Sequence, residues 1–295
     1  MEWTKNLVTS EDFNNFGRDL LDSGDFKNAI DLLSKAISID NDYLEAYYNR
    51  GNAYTGIKDF RNALLDFTKI LELRPVYPEA LYNRGCIYSD LKEYEAAISD
   101  FSKTIEYKPD YSEAYHNRGN AYSKLKEYDK AISDNLKAIE INPNDLEAHY
   151  SLGNEYYYSG EYTNALLYFT MSLEMNPYNA KVYNNRGITL MELEEYEVAL
   201  EDIVKSIMID PNHAMTFKNL GNVNMHLMDY SNAISGYNKA IEMDPDYAEA
   251  YYNRGLVYDN IGEFEKALND WKTAASLGHK KAEEMIEKAK DSYKL

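Results

Sequence analysis

Positive charge, cysteine and long apolar runs are all scarce in this sequence. Its 295 residues hold 31 Lys and Arg against 50 Asp and Glu, a formal net charge of −19. Affinity for phosphate comes from clustered cations, so nucleic acid and anionic membrane surfaces are both disfavoured as partners. The single cysteine, Cys86, leaves no internal disulfide framework and no Cys-based zinc cluster, and no neighbouring feature marks it as a low-pKa nucleophile. No stretch approaches the ~20 apolar residues of a membrane helix. The opening residues lack the apolar core of a secretory signal, so a cytoplasmic setting is expected. Phosphate loops, nucleophile elbows and dinucleotide fingerprints are missing. His116, His149, His213, His226 and His279 keep no ligand spacing. No metal, cofactor or catalytic function is expected. What is abundant is apolar residue content, 44%, and tyrosine, 29 against two tryptophans. A large buried core is therefore affordable and disorder is not expected. Length alone suggests about two ordinary domains, an expectation that the internal pattern replaces.

Gly17, Gly51, Gly85, Gly119, Gly153, Gly187, Gly221 and Gly255 stand 34 residues apart without a slip. Twelve residues after each comes an alanine, from Ala29 to Ala267, and nine after each comes Phe or Tyr preceded by an acid. Prolines at 75, 109, 143, 177, 211 and 245 close six of the units. Within one unit Ala46, Tyr47, Arg50, Gly51, Tyr54 and Ile57 recur at helical spacing. A turn at Gly56–Asp59 follows, and then Phe60, Ala63, Leu64, Phe67, Leu71 and Leu73 recur likewise. Pro75 ends the second helix. The glycine, alanine and proline positions resemble the tetratricopeptide repeat family. That resemblance implies an all-α fold, a right-handed superhelix (an α-solenoid) of eight helix-turn-helix repeats plus a C-terminal capping helix. The expected division is an extension over 1–9, repeats at 10–43, 44–77, 78–111, 112–145, 146–179, 180–213, 214–247 and 248–281, and a capping helix over 282–295. Ser10 reads as the first N-cap, and Ala282, Met285 and Ala289 as inward positions of the cap. Below, repeat positions count from residue 10 as position 1, with helix A first and helix B second.

Position 7 is arginine in five repeats (Arg50, Arg84, Arg118, Arg186, Arg254), and position 23 is aspartate in the same five (Asp66, Asp100, Asp134, Asp202, Asp270). The other three carry Phe16 with Leu32, Leu152 with Tyr168, and Leu220 with Gly236. This co-variation predicts a structural ion pair inside each repeat, with an apolar substitute where the pair is missing.

Function is expected on helix A. Position 6 is Asn15, Asn49, Asn83, Asn117, Asn185, Asn219 and Asn253, broken only by Ser151. A carboxamide can bond both N–H and C=O of a backbone without reading side chains. With helices 8–10 Å apart and an extended chain rising about 3.3 Å per residue, one asparagine per repeat would meet roughly every third residue of a threaded peptide. The row resembles the asparagine ladder of O-GlcNAc transferase-type superhelices. The plainer alternative is that Asn merely suits helix A locally. Position 5 adds Tyr48, Tyr82, His116, Tyr150 and Tyr252, and position 9 adds Asn52, Asn120, Asn154 and Asn222 as peptide contacts. Ile188, Met191, Met215, Met225 and Leu256 could take a partner's apolar anchors, or pack between repeats. Glu11, Glu45, Glu79, Glu113, Glu147 and Glu249 at position 2 suit helix N-termini and bias the face towards a neutral or basic segment.

The carboxylate clamp of chaperone-tail binders in the same family fits only in part. Lys218, Asn222 and Asn253 match it, while Glu283 and Glu287 fall where cations are needed, so acidic chaperone C-terminal tails are disfavoured. A non-enzymatic scaffold for an extended peptide is the leading expectation. A self-assembling architectural subunit, a homo-oligomer suggested by Asn224 and Gly236 at usually apolar positions of repeat seven, and a small-molecule or glycan sensor stay open.

Overall fold

Among residues 9–293, which the computed structural model describes, the chain forms seventeen α-helices and no strand. It divides into two compact units, 1–148 and 149–295. In the first, α1 (Ser10–Asp22) and α2 (Phe26–Ile39) make repeat one, and α3 (Leu44–Gly56) and α4 (Phe60–Leu73) repeat two. Repeat three is α5 (Pro78–Asp90) with α6 (Tyr94–Tyr107), and repeat four is α7 (Ser112–Lys124) with α8 (Tyr128–Ile141). Helix α9 (Leu146–Ser159) opens repeat five across the division and pairs in sequence with α10 (Tyr162–Met175). The second unit continues with α11 (Ala180–Glu192), α12 (Tyr196–Ile209), α13 (Ala214–His226) and α14 (Tyr230–Met243). It ends on α15 (Ala248–Asn260), α16 (Phe264–Ser276) and α17 (Lys280–Tyr293).

Each A-to-B turn uses one device. Position 15 adopts a left-handed backbone, with φ between 59° and 63° at Lys58, Lys92, Lys126, Glu194 and Met228, and 80–84° at Gly24, Gly160 and Gly262. The following amide reaches back to close helix A, as in Asp59 N to Tyr54 O at 2.8 Å and Glu93 N to Tyr88 O at 2.8 Å. Asp25, Asp59 and Asp229 then cap helix B, each accepting the amide N–H of an asparagine three residues on. At the N-terminus the cap is Thr9, not Ser10. Thr9 Oγ1 accepts from Asp12 N at 3.1 Å and Asp12 Oδ2 accepts from Thr9 N at 3.0 Å, a reciprocal box that Ser10 cannot form because its hydroxyl donates to Ala36 O at 3.0 Å. The capping helix starts at Lys280, and Ala282 and Ala289 are buried, with Met285 and Ile286 packed beside them.

Within each unit helix A packs on its own helix B, helix B packs on the next helix A, and successive A helices touch (α1 with α3, α5 with α7, α11 with α13, α13 with α15). The recurring glycine makes the first of these contacts possible. A Cβ on Gly85 would lie 2.8 Å from the ring of Phe101, and one on Gly221 would lie 2.5 Å from the ring of Tyr237. Position 24 thus fills the space that the glycine leaves, with Leu33, Phe67, Phe101, Phe169, Ile203, Tyr237 and Trp271 almost wholly buried. Repeat seven closes further. Gly236 stands where five repeats have aspartate, and a Cβ there would meet Gly221 N at 2.8 Å and Phe217 O at 3.0 Å, both backbone. Backbone cannot swing aside as a side chain can. Gly236→Ala should therefore lower stability by about 1–3 kcal/mol, read as a fall in thermal midpoint, whereas the exposed Gly24→Ala should show only left-handed backbone strain of about 1 kcal/mol.

Candidate functional site

The five arginines sit half-buried over nearly buried aspartates of the same repeat. Arg84 Nε donates to Asp100 Oδ2 at 2.7 Å and Nη2 to Oδ1 at 2.8 Å, and Arg50, Arg118, Arg186 and Arg254 make the same two-pronged contact with Asp66, Asp134, Asp202 and Asp270. At Arg84 and Arg186 these bonds are the largest influence and push the guanidinium pKa above its usual value. The third prong was not foreseen. Nη1 of each arginine reaches the preceding repeat, to Ser34, Thr68, Ser102, Thr170 and Asn238, at 2.5–3.1 Å. All five acceptors occupy position 25, and the sequence carries the signal: where the next repeat has Leu152 or Leu220 instead of arginine, position 25 is Leu136 or Val204. Each arginine therefore ties helix A to its own helix B and to the one before. Asp100→Ala should cost about 3–5 kcal/mol by leaving Arg84 unpaired. The triple change Thr68→Leu, Arg84→Leu, Asp100→Tyr, copied from the apolar repeats, should recover most of that in denaturant melts; a triple variant as unstable as the single one would refute the interchange.

The position-6 asparagines also serve the scaffold. Asn49 Nδ2 donates to Asn14 Oδ1 at 3.0 Å, Asn83 Nδ2 to Tyr48 Oη and Asn52 Oδ1 at 3.2 and 2.9 Å, and Asn117 Nδ2 to Tyr82 Oη at 2.8 Å. In the second unit Asn185 Nδ2 donates to Tyr150 Oη and Asn154 Oδ1 at 3.1 and 2.8 Å, Asn219 Nδ2 to Asn184 Oδ1 at 2.9 Å, and Asn253 Nδ2 to Asn222 Oδ1 at 3.0 Å. The rule is one: position 6 donates to position 5 or 9 of the preceding A helix. This revises the expectation that both ends of each carboxamide face a ligand, since the nitrogen is already committed. Asn219 is 2% exposed and leaves the row entirely. Asn185 Oδ1 accepts from Asn184 Nδ2 at 3.2 Å. The oxygens of Asn49, Asn83, Asn117 and Asn253 accept no bond among the described residues. Asn15, in the first repeat, makes no such link among the described residues.

Positions 5 and 9 are the other half of these links. Tyr48 stands edge-on to Phe67 with centroids 6.0 Å apart, Tyr82 stacks on Tyr111 at 4.8 Å, Tyr150 lies 6.1 Å from Phe169 and Tyr252 stacks on His279 at 4.2 Å. They are half-buried, so only part of each ring is offered outward. Repeat four departs from the others. Asn135 replaces the large aliphatic or aromatic residue of position 24 and is fully buried; His116 Nδ1 lies 2.9 Å from Asn135 Oδ1, and His116 Nε2 2.9 Å from Asn120 Nδ2. A neutral ring with its proton on Nδ1 satisfies both contacts.

Of the apolar set, Ile188, Met191 and Met215 line a groove of 420 Å³ with Tyr157, Tyr158, Asn185, Lys218 and Glu192, all in the second unit. Met225 and Leu256 are not there. Met225 packs in the core cluster of Ala233, Tyr237 and Val257, and Leu256 in the cluster around Trp271, where burial of apolar surface holds them. The partial clamp match is also internal: Lys218 Nζ lies 3.2 Å from Glu249 Oε1, and Asn222 and Asn253 bond each other. Asn224 donates to Leu220 O at 2.8 Å and Gly236 admits the α13 backbone, so neither residue is the packing weakness from which self-assembly was argued. The position-2 glutamates stand in first turns, where the helix dipole favours them.

Family models of the tetratricopeptide repeat match residues 44–77, 78–111, 112–145, 146–179, 180–213 and 248–281, and TPR repeat models match 17–56 and 229–262. The chain belongs to the tetratricopeptide repeat family. Among solved structures it is similar to YrrB, described as a TPR protein with an unusual peptide-binding site, at 26% identity over 66% of this chain and 98% of that one, TM-score 0.54. It is similar to MamA at 29% identity over 58% of this chain and 94% of that one, TM-score 0.54. A tetratricopeptide repeat protein from Parabacteroides merdae, 22% identical over 84% of this chain and 98% of that one with TM-score 0.62, shares the fold. No curated protein matches the chain. Among the described residues no helix is long and apolar enough to cross a membrane.

Cys86, at position 9 of repeat three, is partly buried, with Asn117 Nδ2 3.7 Å from its sulfur, and burial pushes the thiol up to about 11. From an ordinary value of 9.0, that lowers the thiolate fraction near neutrality about a hundredfold. Iodoacetamide should therefore alkylate the native protein far more slowly than the urea-unfolded chain at pH 8, and equal rates would contradict the burial.

Proposed function

We propose that this tetratricopeptide repeat protein is a non-enzymatic scaffold that holds an extended polypeptide segment along its A helices. Such repeats are typical of protein–protein interaction, and each matching family model is a repeat, not a catalytic domain. The observation that carries the reading is the set of uncommitted carboxamide oxygens at Asn49, Asn83 and Asn117 on consecutive A helices. Their nitrogens are fixed by the preceding repeat, which holds each oxygen in place before a ligand arrives. They are pure acceptors, suited to peptide N–H groups. In this reading Tyr48 and Tyr82 supply adjoining contact area, and Asn253 with Tyr252 repeats the arrangement near the other end. The similarity to YrrB, a TPR protein with a peptide-binding site of its own, supports the same class of ligand. The net charge of −19 favours a neutral or basic segment over an acidic one.

Changing the asparagines themselves would mix binding with stability, because each also joins two repeats. The ligand is the better place to probe. Peptides selected from a random display library should lose roughly tenfold in affinity when a single backbone N–H facing an asparagine is N-methylated, at positions about three residues apart. Calorimetry with such a scan checks this. Affinity unchanged at every methylated position would end the ladder reading.

A further inference from the structure

The groove of the second unit has its own chemistry. Ile188, Met191 and Met215 give it an apolar wall, and Met215 and Tyr158 are more than half exposed there. A volume of 420 Å³ takes one or two side chains, not a folded domain. Methionine walls adapt to aliphatic or aromatic anchors of differing shape. Three charges stand around it: Lys218, Glu249 and Glu192. The lysine would invite a carboxylate, but its ammonium lies 3.2 Å from Glu249 and its side chain is only 12% exposed. Glu192 is exposed, and its side-chain contact is the Tyr157 hydroxyl at 3.5 Å. Burial and the neighbouring Glu192 push Tyr157 up to about 12, so that hydroxyl remains a donor near neutrality. With one cation cancelled by one of the two carboxylates, the groove keeps an uncompensated negative charge beside its apolar wall.

We infer that this groove selects a peptide segment in which a bulky apolar residue lies next to Lys or Arg, the apolar side chain entering between Ile188, Met191 and Met215 and the cation meeting Glu192. The inference rests on the scaffold reading and adds to it a site and a specificity. It also separates this groove from the row in the first unit, where the asparagine oxygens would address peptide backbone and only the chain's overall negative charge would favour a basic segment.

The test uses the full chain labelled with 13C-methyl methionine. Met191 and Met215 resonances are assigned by Met191→Leu and Met215→Leu, and the remaining methionines serve as internal controls. The probes are ten-residue Gly/Ser peptides with a central Arg-Leu-Arg, Glu-Leu-Glu or Arg-Ser-Arg. Arg-Leu-Arg should move the Met191 and Met215 methyls. Glu-Leu-Glu should bind roughly fivefold more weakly or worse, and Arg-Ser-Arg should leave both methyls in place. Glu192→Gln should shrink the difference between the two charged peptides while leaving the thermal midpoint unchanged. Equal titration by Arg-Leu-Arg and Glu-Leu-Glu, or a difference indifferent to Glu192→Gln, overturns the charge selection and leaves the scaffold reading standing. Methyls unmoved by all three peptides, while library-selected peptides still bind, overturn the groove assignment alone. Shifts of Met191 and Met215 that follow protein concentration without peptide would assign the groove to a second copy of the chain and overturn it too. Failure of every library selection would fell the scaffold reading beneath it.

Discussion

Everything in each unit depends on how near helix A can come to helix B. The glycine at position 8 removes the one side chain that would hold them apart, and the large residue at position 24 fills the vacated volume. With that distance set, a guanidinium on helix A reaches both a carboxylate on its own helix B and a hydroxyl or amide on the helix B before it. It also lets neighbouring A helices approach until one asparagine can donate to a tyrosine, asparagine or cysteine of the one before. Widen the glycine contact and all these bonds lengthen together. The period of 34 is kept to the residue because several interactions share one register.

The fold was legible because its signal repeats. Eight copies of glycine, alanine and aromatic residue, with acids preceding the aromatics, fix helix pairs and turns with little room for another arrangement. The ion pair was legible for a subtler reason: the three repeats that lack it differ at both partners at once. The same comparison, carried to position 25, would have found the third partner, since Leu136 and Val204 stand where the arginine is lost. Pairwise comparison inside one repeat does not see a contact made to the repeat before. Local details were less readable. Thr9 displaced Ser10 as N-cap because two adjacent hydroxyls were available and only one had Asp12 three residues on.

The asparagine row was legible as a repetition, and its hydrogen bonding was misread. A repeated asparagine does need a reason, and hydrogen bonding is that reason, but half of each carboxamide is directed at the scaffold. Spacing alone could not show this, because position 6 of one repeat and positions 5 and 9 of the previous one are 35 and 31 residues apart in sequence. Met225 and Leu256 were grouped with Met191 and Ile188 because they hold the same repeat positions, 12 and 9, yet each packs into a core cluster that contains a large position-24 residue, Tyr237 or Trp271. Three tyrosines, Tyr48, Tyr82 and Tyr150, have a similar origin. A ring with a hydroxyl at its tip can pack against position 24 and still accept a bond from the next repeat, which phenylalanine cannot do.

The asparagine links all point one way. Each amide nitrogen addresses the helix on its N-terminal side, so within a unit a repeat's helix A gives through position 6 and receives through positions 5 and 9. Such a row has polarity, like a line of hooks and eyes sewn in a single direction. An interior repeat cut out or copied at the same register finds matching fittings at both seams, whereas one inserted backwards finds none. Lengthening or shortening of the array is thereby confined to whole units of thirty-four, and the chain's growth is written in the orientation of its amides.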